Sequence, residues 1–169
     1  MAAPREVIRD VVVEHVEAEN ARDMERVMRT YAEGAVFDDV AQARRFVGKD
    51  AIAASYQERF DAFPGMVRTI DRLTVGDEGA VTEITMRGEQ TGVFAGLPPQ
   101  GGEQVLRICA HFAVRDDGLI TTETAYYDAL TGLTQLGVLP DLQSPLGRVW
   151  LAITRPQVLV RRLRAWAGV

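Results

Sequence analysis

Between Pro4 and Asn20 the apolar residues Ile8, Val11, Val12 and Val16 recur at helical spacing, with acids on the opposite side and Pro4 suited to a first turn. This predicts an amphipathic helix. Asp23 is placed to cap a second helix whose stripe is Met24, Val27, Met28 and Tyr31, ending near Gly34. A connector from Ala35 to Val47 leads to a third helix, Lys49 to Phe63, with Ile52, Tyr56 and Phe60 on one face and Pro64-Gly65 as its stop. From Met66 the period changes to that of strands. Val67–Val75, Ala80–Phe94, Glu103–Arg115 and Leu119–Tyr127 are separated by turns, of which Asp77-Glu78-Gly79 and Asp116-Asp117-Gly118 are the clearest. A short helix from Asp128 to Leu136 closes the unit. Helices followed by strands, without a strand-helix-strand repeat, predict an α+β domain with helices on one face of an antiparallel sheet.

Beyond Pro140 lies a tail in which Arg161, Arg162 and Arg164 alternate with Leu159, Val160, Leu163 and Trp166. It reads as a basic amphipathic helix, expected to dock on its own domain or on a second subunit in preference to a membrane. The division is therefore residues 1–139 as the domain and 140–169 as a helical extension. A length of 169 residues suits one domain with a single core, and 47% apolar with 25% charged residues suits a folded globular chain. A formal net charge of −5 argues against a nucleic-acid partner. Cys109 is the only cysteine, which excludes an internal disulfide and a thiolate zinc cluster. Acids from Glu6 onward argue against a signal peptide or membrane span, so a cytoplasmic protein without a membrane partner is expected.

The sequence has no HExxH, CxxC, Walker, GxGxxG or GxSxG pattern, and its two serines, Ser55 and Ser144, have no nucleophile-elbow context. What remains for chemistry is histidine, carboxylate and tyrosine, the side chains of a cofactorless site that moves protons on an organic ligand.

The segments Asn20-Ala21-Arg22-Asp23, Tyr31 through Asp39, and Gly48-Lys49-Asp50-Ala51-Ile52 resemble the opening of ketosteroid isomerases and SnoaL-like polyketide cyclases. Further on, Gly88–Gly92, Gly96–Gly101, His111-Phe112, Asp117–Ile120 and Tyr127-Asp128 resemble the cyclases more. The resemblance, to the nuclear transport factor 2-like superfamily, covers about Glu6 to Leu139. It implies a cone-shaped fold, three N-terminal helices packed on a strongly curved antiparallel sheet. That fold carries enzymes and pure binding modules alike, so function has to be argued from the site.

The resemblance places Asp39 as the general base; the competing reading is an ion pair with Arg44 or Arg45, with Asp38 turned to solvent. His15 shares the apolar face of the first helix and stands where the isomerases have an oxyanion-binding tyrosine, or else is a core histidine satisfied by a backbone carbonyl. His111 shares a strand face with Cys109 and Ala113, and by resemblance is a second donor. The acid that the cyclases carry on the last strand falls near Ala125 and is missing; Asp128 either replaces it through a bulge or caps the closing helix, and the cap is preferred. Gln90 stands where many relatives have histidine and is expected to bond a ligand carbonyl. Tyr31, Tyr56, Phe60, Met86 and Tyr127 are expected to line or underlie a cavity, although such residues also serve as core. Glu83 and Glu123 are read as exposed partners of arginines. The resemblance implies a cofactor-independent cyclase or ketone isomerase acting through an enolate on a polycyclic, mostly apolar substrate of secondary metabolism, in a homodimer. Two alternatives stand beside it. One is a non-catalytic binder of a small molecule. The other is an epoxide hydrolase-like, water-adding enzyme, which would need Asp39, Asp128 and Arg87 or Arg107 to converge.

Overall fold

The computed structural model describes residues 3–154 and residue 157. The basic part of the tail, Leu159 to Trp166, lies outside the described residues. Helix α1 (Arg5–Ala21) buries Ile8, Val12, His15, Val16, Ala18 and Glu19. Glu19 on the buried face departs from the simple apolar stripe, and it belongs to the site below. Helix α2 (Met24–Thr30) begins at Asp23, whose side chain accepts from the Arg26 amide as expected of a cap. It stops at Thr30 and not near Gly34, because Tyr31 is already extended and opens strand β1 (Tyr31–Asp39).

The stretch read as a connector is in fact β1, a single 3-10 turn (Val40–Gln42) and strand β2 (Arg44–Val47). Only α1 and α2 therefore precede the sheet; α3 (Lys49–Ala62) follows its first two strands. Strands β3 (Val67–Val75), β4 (Gly79–Glu89), β5 (Glu103–Val114) and β6 (Ile120–Tyr127) complete a six-stranded sheet, ordered β2-β1-β6-β5-β4-β3. The pairing of β1 with β6 is parallel, so the sheet is mixed and not purely antiparallel as expected. Register shifts at Ile70/Arg72, Tyr31/Val36 and Ala113/Val114 are the bulges that let such a sheet curl.

Strand β4 ends at Glu89, short of Phe94, because the Thr91 and Gly92 amides both bond the Ala62 carbonyl at the end of α3 (2.9 and 3.1 Å). Gly92 is required there: a Cβ would lie 2.5 Å from the Asp61 carbonyl oxygen. The inward face of the sheet presents Ala80, Ile84, Leu106, Ala110, Phe112, Ile120 and Ala125, and α1 and α3 cover it with Ile8, Val12, Ile52 and Tyr56. The Asn20–Asp23 segment fixes the end of α1. The Asn20 amide donates to the Arg68 carbonyl and accepts from the Arg68 amide (both 2.8 Å), while Arg22 reaches the carbonyls of Phe60 and Pro64. Helix α4 (Ala129–Gln135) is capped by Asp128, and helix α5 (Pro145–Thr154) follows. Among the described residues no helix is long and apolar enough to cross a membrane.

Candidate active site

A cavity of about 250 Å³ lies between α1, α3, α4 and the concave face of the sheet. Its walls are mainly apolar, with Val16, Phe37, Met86, Leu106, Phe112 and Leu133 among them. Glu123, Ala125 and Tyr127 alternate along β6 and all line it, so the cavity runs about 13 Å along that strand. Polar groups gather at the two ends of this run.

At the buried end stand His15, Glu19, Tyr31, Tyr56, Arg68 and Glu123. Thr30 gives its hydroxyl hydrogen to the Val27 carbonyl (2.7 Å), so it accepts from Nδ1–H of His15 (2.8 Å). Nε2 of His15 faces Glu19 Oε1 (3.1 Å), the Tyr56 hydroxyl (3.0 Å) and Glu123 Oε2 (3.5 Å). Burial works against a charged imidazole, but the hydrogen bonds to Glu123 and Glu19 outweigh it and raise the His15 pKa to about 9. His15 is therefore an imidazolium at neutral pH. Burial would raise Glu19, yet the Arg68 guanidinium, His15 and Tyr56 together hold it below the usual carboxylate range. Tyr56 donates to Glu19 Oε1 (2.6 Å), and Tyr31 donates to Glu123 Oε2. Burial and the neighbouring Glu123 push both phenols well above 10, so they remain protonated. Two carboxylates facing one imidazolium and one guanidinium make the cluster neutral.

Glu19 has both oxygens engaged, Oε1 by Tyr56 and His15 and Oε2 by Arg68. Glu123 has only Oε2 engaged, by Tyr31 and at 3.1 Å from the Tyr56 hydroxyl. Its Oε1 has no hydrogen-bond partner among the described residues, although Glu123 lines the cavity. Arg68, which also lines it, binds Glu19 through Nε, and its two terminal amino groups have no partner among the described residues. A free acceptor and free cationic donors thus flank Glu19 at one end of an apolar cavity.

At the other end Asp39, 1% exposed, is fully engaged. Its Oδ2 accepts from Arg59 (2.8 Å), Gln42 Nε2 (3.0 Å) and the Tyr127 hydroxyl (3.1 Å), and its Oδ1 accepts from the Gln42 amide (3.1 Å). The Arg59 guanidinium lies over the Phe37 ring, 4.9 Å from its centroid. Burial and the Asp39 charge raise the Tyr127 pKa to about 12.

Several expectations are corrected here. His111 is exposed on the outer face of the sheet, because the inward face of β5 is taken by Leu106, Ala110 and Phe112. His15 is wholly buried behind Tyr56 and Glu19 and does not line the cavity, so it acts on those side chains and not on a ligand. Asp39 stands at the cavity as expected, but its partner is Arg59, not Arg44 or Arg45, and both of its oxygens accept hydrogen bonds. Gln90 is buried and bonds the carbonyls of Gly92, Leu97 and Pro98, holding the loop after β4. Tyr31 and Phe60 lie in the core behind the wall. Asp128 is exposed and caps α4 through the Leu130 and Thr131 amides, so the preferred reading holds. Arg87 and Arg107 are exposed too, and the convergence that a water-adding site needs is absent. Tyr56, Met86 and Tyr127 do line the cavity. Glu83 is an exposed partner of Arg72 as read, whereas Glu123 is buried.

The ligand atoms of His15, Glu19 and Glu123 lie within 4.8 Å of one another, close enough for one metal ion to touch all three. The donor set fits poorly. His15 holds a proton on each ring nitrogen, and Arg68, Tyr56 and His15 already engage both oxygens of Glu19.

The family model for the SnoaL-like domain matches residues 12–123. The chain belongs to the SnoaL-like domain family. No curated protein matches it. Among solved structures, this SnoaL-like chain is similar to a candidate SnoaL-like polyketide cyclase from Jannaschia sp. CCS1, with a TM-score of 0.73 and 20% identity over 80% of this chain and 95% of that one. AclR, a candidate hydroxylase from Streptomyces galilaeus, gives 0.71 at 18% identity, covering 81% of this chain and 100% of its own. A candidate polyketide cyclase from Xanthomonas campestris pv. campestris gives 0.66 at 28% identity, covering 78% and 98%. These relatives are matched nearly end to end, while about a fifth of this SnoaL-like chain is left over.

The His15 pKa gives a pH dependence with a definite sign. Folding raises it from about 6.5 to about 9, so its stabilising contribution is complete below pH 6.5 and is lost as pH rises through 9. Calorimetry at pH 6 and pH 9.5 should show the melting temperature falling by roughly 5–10 °C more in the wild type than in His15→Gln. Equal slopes in the two proteins would mean that His15 is neutral.

Proposed function

We propose that the protein is a cofactor-independent enzyme of the cyclase or isomerase type, which takes a proton from the carbon beside a carbonyl in a flat, mostly apolar compound. The observation that carries this is that the free Oε1 of Glu123 and the amino groups of Arg68 belong to side chains lining the same cavity. Glu123 is the base, and Arg68 receives the charge that develops on the ketone oxygen. Tyr31 fixes Glu123 through its other oxygen, and the imidazolium of His15 offsets the carboxylate charge. Donors held in place in an apolar site stabilise an enolate without reorganising, typically by about 2.7–4 kcal/mol each. The names of the Jannaschia and Xanthomonas relatives support the reaction class. A cavity of about 250 Å³ favours a ligand of two or three fused rings over a larger polycycle.

The test compares binding of 2-naphthol, whose oxygen imitates that of an enolate, with 2-methoxynaphthalene, which has nearly the same shape. Wild type should prefer the naphthol by about tenfold or more, and Arg68→Lys, which keeps the charge but loses the planar fork, should abolish the preference. Equal binding of both by the wild type would leave a cavity that reads shape alone, which is a binding protein.

A further inference from the structure

Along β5 the inward positions are Gln104, Leu106, Ile108, Ala110 and Phe112, so Gln104 is a polar side chain at the end of an apolar row. It is 6% exposed and lines the cavity. Its side-chain amide has no hydrogen-bond partner among the described residues, whereas the other buried glutamine, Gln90, donates to three carbonyls. An amide left unpaired in an apolar wall costs stability, and leucine would fill the place without that cost. The packing gives no reason for glutamine here, which leaves a ligand in the cavity as its partner.

Helix α4 keeps space for this amide. Gly132 faces it, and a Cβ there would lie 3.0 Å from Gln104 Nε2, closer than ordinary contact. The helix is fastened at this level by Gln135, whose side chain accepts from the Val105 amide (2.8 Å) and donates to the Val105 carbonyl (3.0 Å). Pairing with β6 stops at Ile108, so the Gln135 amide serves this stretch of β5 in place of a strand.

The register locates Gln104 relative to Glu123. Phe112 is opposite Glu123 and Ile108 is opposite Tyr127, so Gln104 lies beyond the end held by Asp39 and Tyr127, eight residues along β5 from the level of Glu123. That is about 26 Å of strand, shortened in space by the curl of the sheet, and is more than two or three fused rings span. The cavity-lining neighbours here, Leu106, Gly132 and Leu133, carry no charge, so an ionised group would be buried without a counterion.

We infer that Gln104 recognises a neutral hydroxyl carried on a side arm of the substrate, at the end away from the ketone. A hydroxyl is both donor and acceptor, so one oxygen satisfies Oε1 and Nε2 together, whereas a carbonyl satisfies Nε2 alone. The inference rests on the cavity being the substrate site, as proposed above, and adds the class of ketone that it takes.

Three probes test it: 6-(3-hydroxypropyl)-2-naphthol, 6-butyl-2-naphthol of nearly the same shape, and 6-(3-oxobutyl)-2-naphthol. All three carry the naphthol oxygen, so failure of the enolate reading would change their dissociation constants together and leave the ratios between arms readable. Wild type is expected to prefer the hydroxypropyl arm to the butyl arm by about tenfold or more, and Gln104→Leu to lose that preference while melting no lower than wild type. Gly132→Ala, which suits a helix better than glycine, should lower the preference by about threefold or more by crowding Nε2. A preference that survives in Gln104→Leu would overturn the inference, as would a wild type that binds the hydroxypropyl and butyl arms alike. Equal binding of the oxobutyl and hydroxypropyl arms would also overturn it, since the group recognised would then be a carbonyl.

Discussion

Glu123→Gln is expected to slow exchange of the α-protons of 2-tetralone in heavy water by about 10²–10⁴-fold, the usual contribution of a positioned base. The amide matches the carboxylate in shape and still accepts from Tyr31, but it takes no proton. Asp39→Asn, at a carboxylate with both oxygens engaged, should change the same rate by less than about tenfold. Exchange followed by NMR, with circular dichroism as the check on folding, decides between the two. If Glu123→Gln keeps the rate within a few-fold while Asp39→Asn loses it, the base is Asp39 and the ion pair with Arg59 opens when substrate binds.

The largest expected loss of stability is at Arg59. Its replacement by methionine leaves Asp39 buried with only Gln42 and Tyr127 as partners, and breaking a buried pair in this way typically costs about 3–5 kcal/mol. Urea unfolding of Arg59→Met should show that loss at pH 7. Adding Asp39→Asn to the same chain should restore most of it. A cost below about 1 kcal/mol would mean that water reaches Asp39 freely.

The helices and the last four strands were legible in the sequence because each has its own period or stop, whereas β1 and β2 lie in the stretch read as a connector. Pro64-Gly65 ends α3, and β3 runs from Val67 to Val75 as the alternation indicates. The site was less legible, for reasons tied to particular residues. Along β5, Leu106, Ile108, Ala110, Phe112 and Val114 form the more apolar alternate set, and Arg107, Cys109 and His111 the more polar one. That contrast alone sends His111 outward, against the functional reading that the rarity of histidine suggests. Glu19 is four residues after His15 on an inward helical face, and Glu123 is one strand repeat before Ala125, where an acid is expected. Both signals were present. A buried glutamate is improbable in sequence, however, until the cation that neutralises it is known, and Arg68 reaches Glu19 from a strand whose approach to α1 no local pattern encodes. Arg59 is similar: it lies three residues after Tyr56, but its partner Asp39 comes from β1.

The parallel pairing of β1 with β6 has a consequence for how the molecule comes into being. Strand β6 lies between β1 and β5, so without it the sheet falls into two pieces, β2-β1 and β5-β4-β3. Asp39 pairs with Ala125, far along the chain, and Tyr31 bonds Glu123 across a similar distance. Contacts this non-local slow folding, since loop entropy is lost before they form. During synthesis the helices and first strands emerge with one wall of the cavity absent, and the charges of Glu19 and Arg68 stay in water. The last strand brings the middle of the sheet, Glu123 and Tyr127 in a single step, so the cavity and both of its polar ends are completed together.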